Sequence, residues 1–227
     1  MRLSIIIPVL NEAAGIAPLL LRLDRLRERG AQIVLVDGGS SDDTVRLAAA
    51  HADLAIAAER GRASQMHAGA LAATGDALLF LHADTLLPPH ADALIAAALR
   101  SHQWGRFDVT LDGAHPMFRV IAAMMNLRSR LTAIATGDQA IFMHRAFYLQ
   151  AGGFPQLALM EDIAFCKRAR QLARPACLRQ SVLTSARRWE KNGIWRTIFL
   201  MWRLRLAYFL GADPERLAQQ YGYRKQA

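Results

Sequence analysis

Leu3-Ser4-Ile5-Ile6-Ile7-Pro8-Val9-Leu10-Asn11-Glu12 is an apolar, β-branched run that stops at an amide and a carboxylate. Such a run suits a buried parallel strand. The segment after it, Gly15 to Arg29, spaces Leu19, Leu20, Leu23 and Leu26 as one face of a helix and ends at Gly30. The alternation then repeats. Strands are expected at Gln32–Val36, Leu54–Ala57 and Ala77–Leu81. Helices are expected from an Asp42 or Asp43 cap to Ala50, at Ser64–Ala73, and from Pro88-Pro89 to Arg100. This order predicts an α/β fold, an open and mostly parallel sheet with helices on both faces.

After Ser101 the rhythm loosens. A strand near a sheet edge is expected at Trp104–Leu111, a helix at Pro116–Leu131 and a strand at Ala140–His144. A turn at Gly152-Gly153-Phe154-Pro155, a helix at Glu161–Leu172 and a strand at Ala176–Leu183 follow. Ile194–Leu210 is strongly apolar but carries Arg196, Arg203 and Arg205, which argue against a spanning helix. On a helix, Trp195, Ile198, Phe199, Trp202, Leu206 and Phe209 share one face, with Arg203 and Arg205 near its edges. That pattern suits a helix lying in an anionic membrane surface, or one packed on the domain or on a second copy in a homo-oligomer.

With 53% hydrophobic and 21% charged residues, the 227-residue chain has the means to bury a core. Two cysteines, Cys166 and Cys177, form neither a disulfide framework nor a zinc cluster. They favour a reduced, cytoplasmic setting, and the apolar part of residues 1–8 is too short for a secretion signal. The net charge of +9 is unevenly spread: residues 1–113 carry 10 basic and 13 acidic side chains, residues 114–227 carry 18 and 6. The second half therefore attracts an anionic partner or simply presents a solvated basic surface.

Four acidic clusters punctuate these elements. Asn11-Glu12 follows the first strand, Asp37-Gly38-Gly39-Ser40-Ser41-Asp42-Asp43-Thr44 the second, and His82-Ala83-Asp84 the fourth, while Glu161-Asp162 opens a later helix. Ligands of parallel sheets collect beyond the carboxyl ends of the strands, so the first three clusters should converge. Asp37 is suited to accept from a base N–H or a ribose hydroxyl, with glycines that allow close approach, or else belongs to a simple turn. His82 and Asp84 point the same way on a strand and can face one ion, which substrate phosphate and water would have to complete. Adjacent residues on a helix diverge, so at most one of Glu161 and Asp162 serves as a general base. Neither a dinucleotide fingerprint nor a Walker A loop is present.

In order and spacing, these motifs resemble the inverting family 2 glycosyltransferases of GT-A fold. The carriers are residues 4–12, 34–44 and 69–84, then Gly137-Asp138-Gln139-Ala140, and finally Gly152-Gly153-Phe154 with Glu161-Asp162. The closest likeness is to a small bacterial branch with a His-Ala-Asp motif. The resemblance implies a Rossmann-like sheet flanked by helices, with C-terminal amphipathic helices. It implies a catalytic domain over 1–185, with a nucleotide half at 1–113 and an acceptor half at 114–185, and a helical extension over 186–227. Pro8, Asn11, Glu12, Asp37, Gly38 and Arg62 fall in the nucleotide pocket of the family pattern. Asp84 matches the last acid of its Asp-x-Asp metal motif, with His82 in place of the first. Asp138 and Gln139 match an acceptor-side loop, and Asp162 the catalytic base, with Glu161 beside it.

The implied chemistry is transfer of a sugar from a nucleotide-diphosphate sugar to an acceptor hydroxyl, assisted by Mn²⁺ or Mg²⁺. Ser185-Ala186-Arg187-Arg188-Trp189 resembles the Gln-x-x-Arg-Trp of processive synthases but has serine where glutamine belongs. With no spanning helices, a polymerising enzyme is not expected, although Arg187 or Arg188 remains placed to meet a diphosphate or an anionic acceptor. The apolar C-terminal helix suggests a lipid-linked acceptor and a peripheral location on the inner face of the cell membrane. A sugar-phosphate nucleotidyltransferase would need a basic glycine-rich loop where Asn11-Glu12-Ala13-Ala14-Gly15 stands. A non-enzymatic nucleic-acid or membrane binder leaves the clustered acids unexplained, and nucleic acid is not an expected partner.

Overall fold

The computed structural model describes residues 1–223. Strand β1 (Leu3–Val9) is buried along its whole length. It pairs in parallel with β2 (Gln32–Asp37) on one side and β4 (Ala77–Phe80) on the other, and β2 pairs in parallel with β3 (Leu54–Ala57). The alternation of side chains then sorts the core into two layers. Ile5, Ile7 and Val9 pack with Leu19, Leu20 and Leu23 of α1 (Ala13–Glu28) and with Ile95 of α4 (Ala91–Leu99). Ile6 faces the opposite layer with Val34 and Val36, against Met66 and Ala70 of α3 (Arg62–Ala72).

Pro8 sits near the end of this central strand, where a missing N–H would ordinarily break a ladder. Pairing with β4 has already stopped at Ile6 and Phe80, so the lost donor faces the space beyond the strand ends. Gly69 of α3 marks the tightest approach of helix to sheet. A Cβ there would lie 2.5 Å from Ile6 Cγ2 and 2.8 Å from Val36 Cγ2.

The full sheet has eight strands in the order β3-β2-β1-β4-β7-β6-β8-β5. β5 is Thr85–Leu86, β6 Trp104–Asp112, β7 Phe142–His144 and β8 Ala176–Ser185. β7 runs antiparallel to both β4 and β6, and β5 antiparallel to β8. The remaining strands share one direction, which makes the sheet mostly parallel. β6 is not near an edge as its sequence suggested. β8 pairs with it in parallel from Gly105 to Asp112, across a register shift at Phe107/Asp108, and covers it.

The expected helix at Pro88-Pro89 begins only at Ala91. A residue before proline is pushed out of helical geometry, and His90 takes a left-handed conformation (φ 56°) just ahead of the helix. Short α2 (Thr44–Ala48) rests against α1. The later helices are α5 (Met117–Thr132), α6 (Arg145–Gln150), α7 (Glu161–Leu172), α8 (Arg187–Asn192), α9 (Ile194–Phe209) and α10 (Pro214–Tyr221). Of the expected C-terminal extension, residues 224–227 lie outside the described residues.

α9 packs through Thr197, Leu204, Met201 and Ala207. Trp195, Phe199, Trp202, Leu206 and Phe209 point outward, each 58–65% exposed, while Ile198 joins a small cluster with Phe118 and Ile121 of α5. Among the described residues no helix is long and apolar enough to cross a membrane.

Substituting Gly69→Ala should lower the melting temperature by about 2–8 °C. Overpacking costs ~1–3 kcal/mol, and the gain in helix propensity offsets only part of it. Thermal unfolding followed by circular dichroism measures it, and an unchanged or raised midpoint would contradict the close packing of α3 on β1.

Candidate functional site

The carboxyl ends of β2, β1 and β4 lie side by side, and the loops that leave them are tied together. Asn11, in a left-handed conformation, donates its backbone N–H to Ser40 Oγ (2.9 Å) and accepts from Ser41 N (2.8 Å). Glu12 N donates to Thr44 Oγ1 (2.8 Å) and Ala13 N to Asp42 Oδ2 (3.1 Å). Asp42 thus holds the start of α1 as well as Thr44 N, at 3.1 Å. Asp43 makes no side-chain cap and instead pairs with Arg46. The Asp37 carboxylate accepts from Gly39 N, Ser40 N and Ser40 Oγ, so it shapes the glycine turn from within.

Above these loops opens a cleft of about 910 Å³. Pro8, Glu12, Gly38, Arg62, His82, Asp84 and Asp138 border it, whereas Asn11, Asp37, Gln139, Glu161 and Asp162 are not among its lining residues. Gln65 of α3 reaches the same place unannounced by any sequence pattern. Its buried Nε2 donates to Val9 O, which also accepts from Gly38 N, and to Val36 O, both at 2.8 Å, and so bridges the ends of β1 and β2. A Cβ on Gly38 would come within 3.0 Å of the Gln65 amide.

The exposed Arg187 guanidinium lies 3.5 Å from Glu12 Oε2 and 3.9 Å from Asp84 Oδ2, two acids that border the cleft. Burial pushes the Glu12 carboxyl up, Arg187 works against that, and the charge of Asp84 adds to it. His82 turns Nδ1 to Asp138 Oδ1 at 3.3 Å, while its Nε2 is buried without a hydrogen-bond partner against Gly137. Burial alone would raise the Asp138 carboxyl, but the hydrogen bond and charge of His82, with Arg62 and Arg205, hold it below its usual range.

The donor set bears on a divalent ion. Among the described residues no three His, Cys, Asp or Glu side chains stand together as a metal cage. Asp84 offers a carboxylate whose nearest side-chain partners are Thr85 Oγ1 at 3.4 Å and Arg187. One carboxylate fits Mg²⁺ or Mn²⁺, which keep waters and take substrate phosphate oxygens. His82, the second donor of the sequence motif, turns Nδ1 to Asp138 and keeps Nε2 without a partner.

α7 supplies the remaining acids. Asp162 accepts from Gly137 N (3.0 Å) and from Ile163 N (2.7 Å), which fixes its carboxylate against the 3-10 turn Gly137–Gln139. Gln139 is fully buried. Its amide bonds Ser129 Oγ (3.1 Å) and Asn126 Oδ1 (3.3 Å) of α5 and so anchors that turn. Glu161 is buried behind Asp162. Burial, and then the charge of Asp162, raise its carboxyl to about 7.

The C-terminal segment forms the opposite wall. Arg62 Nε donates to Tyr223 Oη at 2.9 Å, and the Arg188 guanidinium lies 3.4 Å from the Tyr221 ring centre. Tyr221, Gln219 and Ala218 border the cleft. The Asp213-Pro214 pair, an N-cap followed by proline, announces α10 in the sequence, and Asp213 Oδ1 does accept from Glu215 N at 3.0 Å.

A mostly parallel sheet with its cleft at the strand tips, capped by an acid-bearing helix, is the GT-A scaffold. The family model for glycosyl transferase family 2 matches residues 4–148, and the chain belongs to that family. An undecaprenyl-phosphate 4-deoxy-4-formamido-L-arabinose transferase of Klebsiella pneumoniae is 33% identical over 150 residues, 60% of this chain and 46% of that protein. The chain therefore spans less than half the length of this relative. Among solved structures, S. aureus TarS 1-349 in complex with UDP-GlcNAc superposes with a TM-score of 0.66 at 21% identity, over 82% of this chain and 58% of that one. A mannosyltransferase of Pyrobaculum calidifontis in complex with GDP-Man and Mn²⁺ gives 0.64 at 22% identity, over 98% and 69%.

Glu161 binds its proton more tightly folded than unfolded, so its contribution to stability is present at acid pH and is lost as pH rises from 4.5 through about 7. Substituting Glu161→Gln should therefore raise the melting temperature by about 3–6 °C at pH 8 and leave it nearly unchanged at pH 5. Melting curves at the two pH values measure this, and an equal effect at both would contradict the buried, raised carboxyl.

Proposed function

We propose that this protein transfers a sugar from a nucleoside-diphosphate sugar to an acceptor hydroxyl, with inversion at the anomeric carbon. The observation that carries the reading is a single cleft, bordered by Asp84 and Asp138, whose wall is tied to Asp162 through the Gly137 amide. Complexes of the two solved relatives with UDP-GlcNAc and with GDP-Man and Mn²⁺ support a nucleotide-sugar donor.

In this reading Pro8, Gly38 and the Asp37 turn shape the nucleoside end of the cleft. Arg62 and Arg187 meet the diphosphate, Arg62 by leaving Tyr223 and Arg187 by leaving the Glu12–Asp84 pair. Asp84, with His82 beside it, would hold Mn²⁺ or Mg²⁺, whose positive charge would stabilise the departing diphosphate. Asp162 takes the proton of the acceptor hydroxyl, whose oxygen bonds to the anomeric carbon as the bond from that carbon to the diphosphate oxygen breaks. The nucleoside diphosphate leaves with the bonding electrons. Attack opposite the leaving group inverts the configuration.

The acceptor is taken up at an anionic membrane surface. Five large apolar side chains of α9 stand uncovered on one face, two of them tryptophan, within the basic half of the chain. Aromatic side chains beside arginine suit the head-group region. The name of the Klebsiella relative, which includes undecaprenyl phosphate, supports a lipid-linked acceptor.

Two measurements test these steps. Substituting Asp162→Asn should lower sugar transfer by about 10²–10⁴-fold while UDP or GDP affinity stays within about twofold, since only the proton transfer is lost. Parallel loss of both would assign Asp162 to the fold. Flotation with anionic vesicles at low salt should carry the protein upward, and the double substitution Phe199→Glu and Trp202→Glu should abolish it. Flotation unaffected by that substitution would remove α9 from the membrane contact.

A further inference from the structure

Two arginines near Asp162 are not used by the fold. Arg128 of α5 has Nε and Nη2 buried without a hydrogen-bond partner. Neither its guanidinium nor that of Arg205 on α9 makes a side-chain hydrogen bond or salt bridge among the described residues. Fully buried Arg106, by contrast, is held by Asp108, which Arg130 also contacts, and only its Nε lacks a partner.

The pair is placed beside the cleft. Arg128 follows Met125 by three positions and Arg205 follows Met201 by four, so each lies one helical turn beyond a residue that lines it. Both guanidiniums feel the carboxylates of Asp162 and Asp138, and Arg128 also feels Arg205 as a like charge. Burial first, and for Arg128 the neighbouring Arg205 next, lower both from the ordinary arginine value, Arg128 to about 10. Arg205, half-buried near the edge of the exposed face of α9, has its charge within reach of those acids. Two cations held together with unmatched donors favour an anion with several acceptor oxygens.

We propose that Arg128 and Arg205 form a binding site for a phosphate monoester carried by the acceptor. The proposal rests on the transferase reading above and names the acceptor's class. The planar guanidiniums take the phosphate oxygens in pairs, and the site's position holds the rest of the acceptor against Asp162. Such a phosphate belongs either to a soluble sugar phosphate or to a lipid phosphate that also carries a free hydroxyl, reaching in from the exposed face of α9.

Calorimetric titration of the full chain tests the site. The probes are glucose 6-phosphate against glucose, and lysophosphatidate, which bears a phosphate monoester and a free hydroxyl, against monoacylglycerol in non-ionic detergent, each with UDP or GDP plus Mn²⁺ present. At least one phosphorylated probe should bind about tenfold or more tightly than its neutral counterpart, and which one does so identifies the source. Arg128→Gln and Arg205→Gln should each abolish that preference, keep nucleotide affinity within about twofold, and melt no lower than the parent, because a buried repulsion is relieved. Equal binding of charged and neutral probes would overturn the proposal. So would variants that keep the preference, or that melt lower and lose nucleotide affinity together, which would make the arginines structural. If neither UDP nor GDP binds the parent protein, the transferase reading itself fails, independently of the phosphate probes.

Discussion

Parallel pairing of β1 with both β2 and β4 is the constraint on which the rest depends. It sets three strand ends on one edge of the sheet. The chain leaves each of them through a polar loop, and those loops have nowhere to go but the same space. Pro8 keeps that space open, since the strand can offer no further hydrogen bond toward β4. The Ser40, Ser41, Asp42 and Thr44 side chains then fasten the first two loops to each other. A cleft bordered by Glu12, Gly38 and Asp84 is the geometric result.

The second half of the chain completes that cleft from outside the parallel core. α7 brings Glu161 and Asp162, and the turn at Gly137 joins Asp162 to Asp138 and His82. α9 and α10 fold back as a wall, with Tyr221 and Tyr223 engaging Arg188 and Arg62. Arg62 is held by the Tyr223 phenol, and Arg188 by the ring and backbone carbonyl of Tyr221, rather than by a carboxylate. The uneven charge of the sequence has a counterpart here: the parallel half provides Glu12 and Asp84 at the strand tips, and the basic half provides Arg187 beside them.

Much of this was legible in the sequence because the signals are local. The β-branched run at Leu3–Val9, the leucine spacing of α1 and the acidic start of α7 each report a buried face or a helix end directly. The place of β6 within the sheet was not legible, because it depends on β8, some seventy residues later, pairing beside it. At the site, the acids could be located but not their partners. Asp37 turned out to hold its own turn, His82 to face Asp138, and Gln139 to anchor α5. Gln65 and the Arg128–Arg205 pair carry no motif at all. A glutamine or arginine on a helix reads as surface until tertiary packing turns it inward.

The central claim is that a nucleoside diphosphate and a divalent ion meet at these strand tips. A crystal soaked in UDP or GDP with Mn²⁺, measured at the manganese absorption edge, tests it most directly. The account predicts an anomalous peak in coordination contact with the Asp84 carboxylate, with diphosphate oxygens on its far side and Arg187 drawn onto them. Nucleotide bound away from the ends of β1, β2 and β4, or manganese bound at an unrelated set of acids, would contradict it.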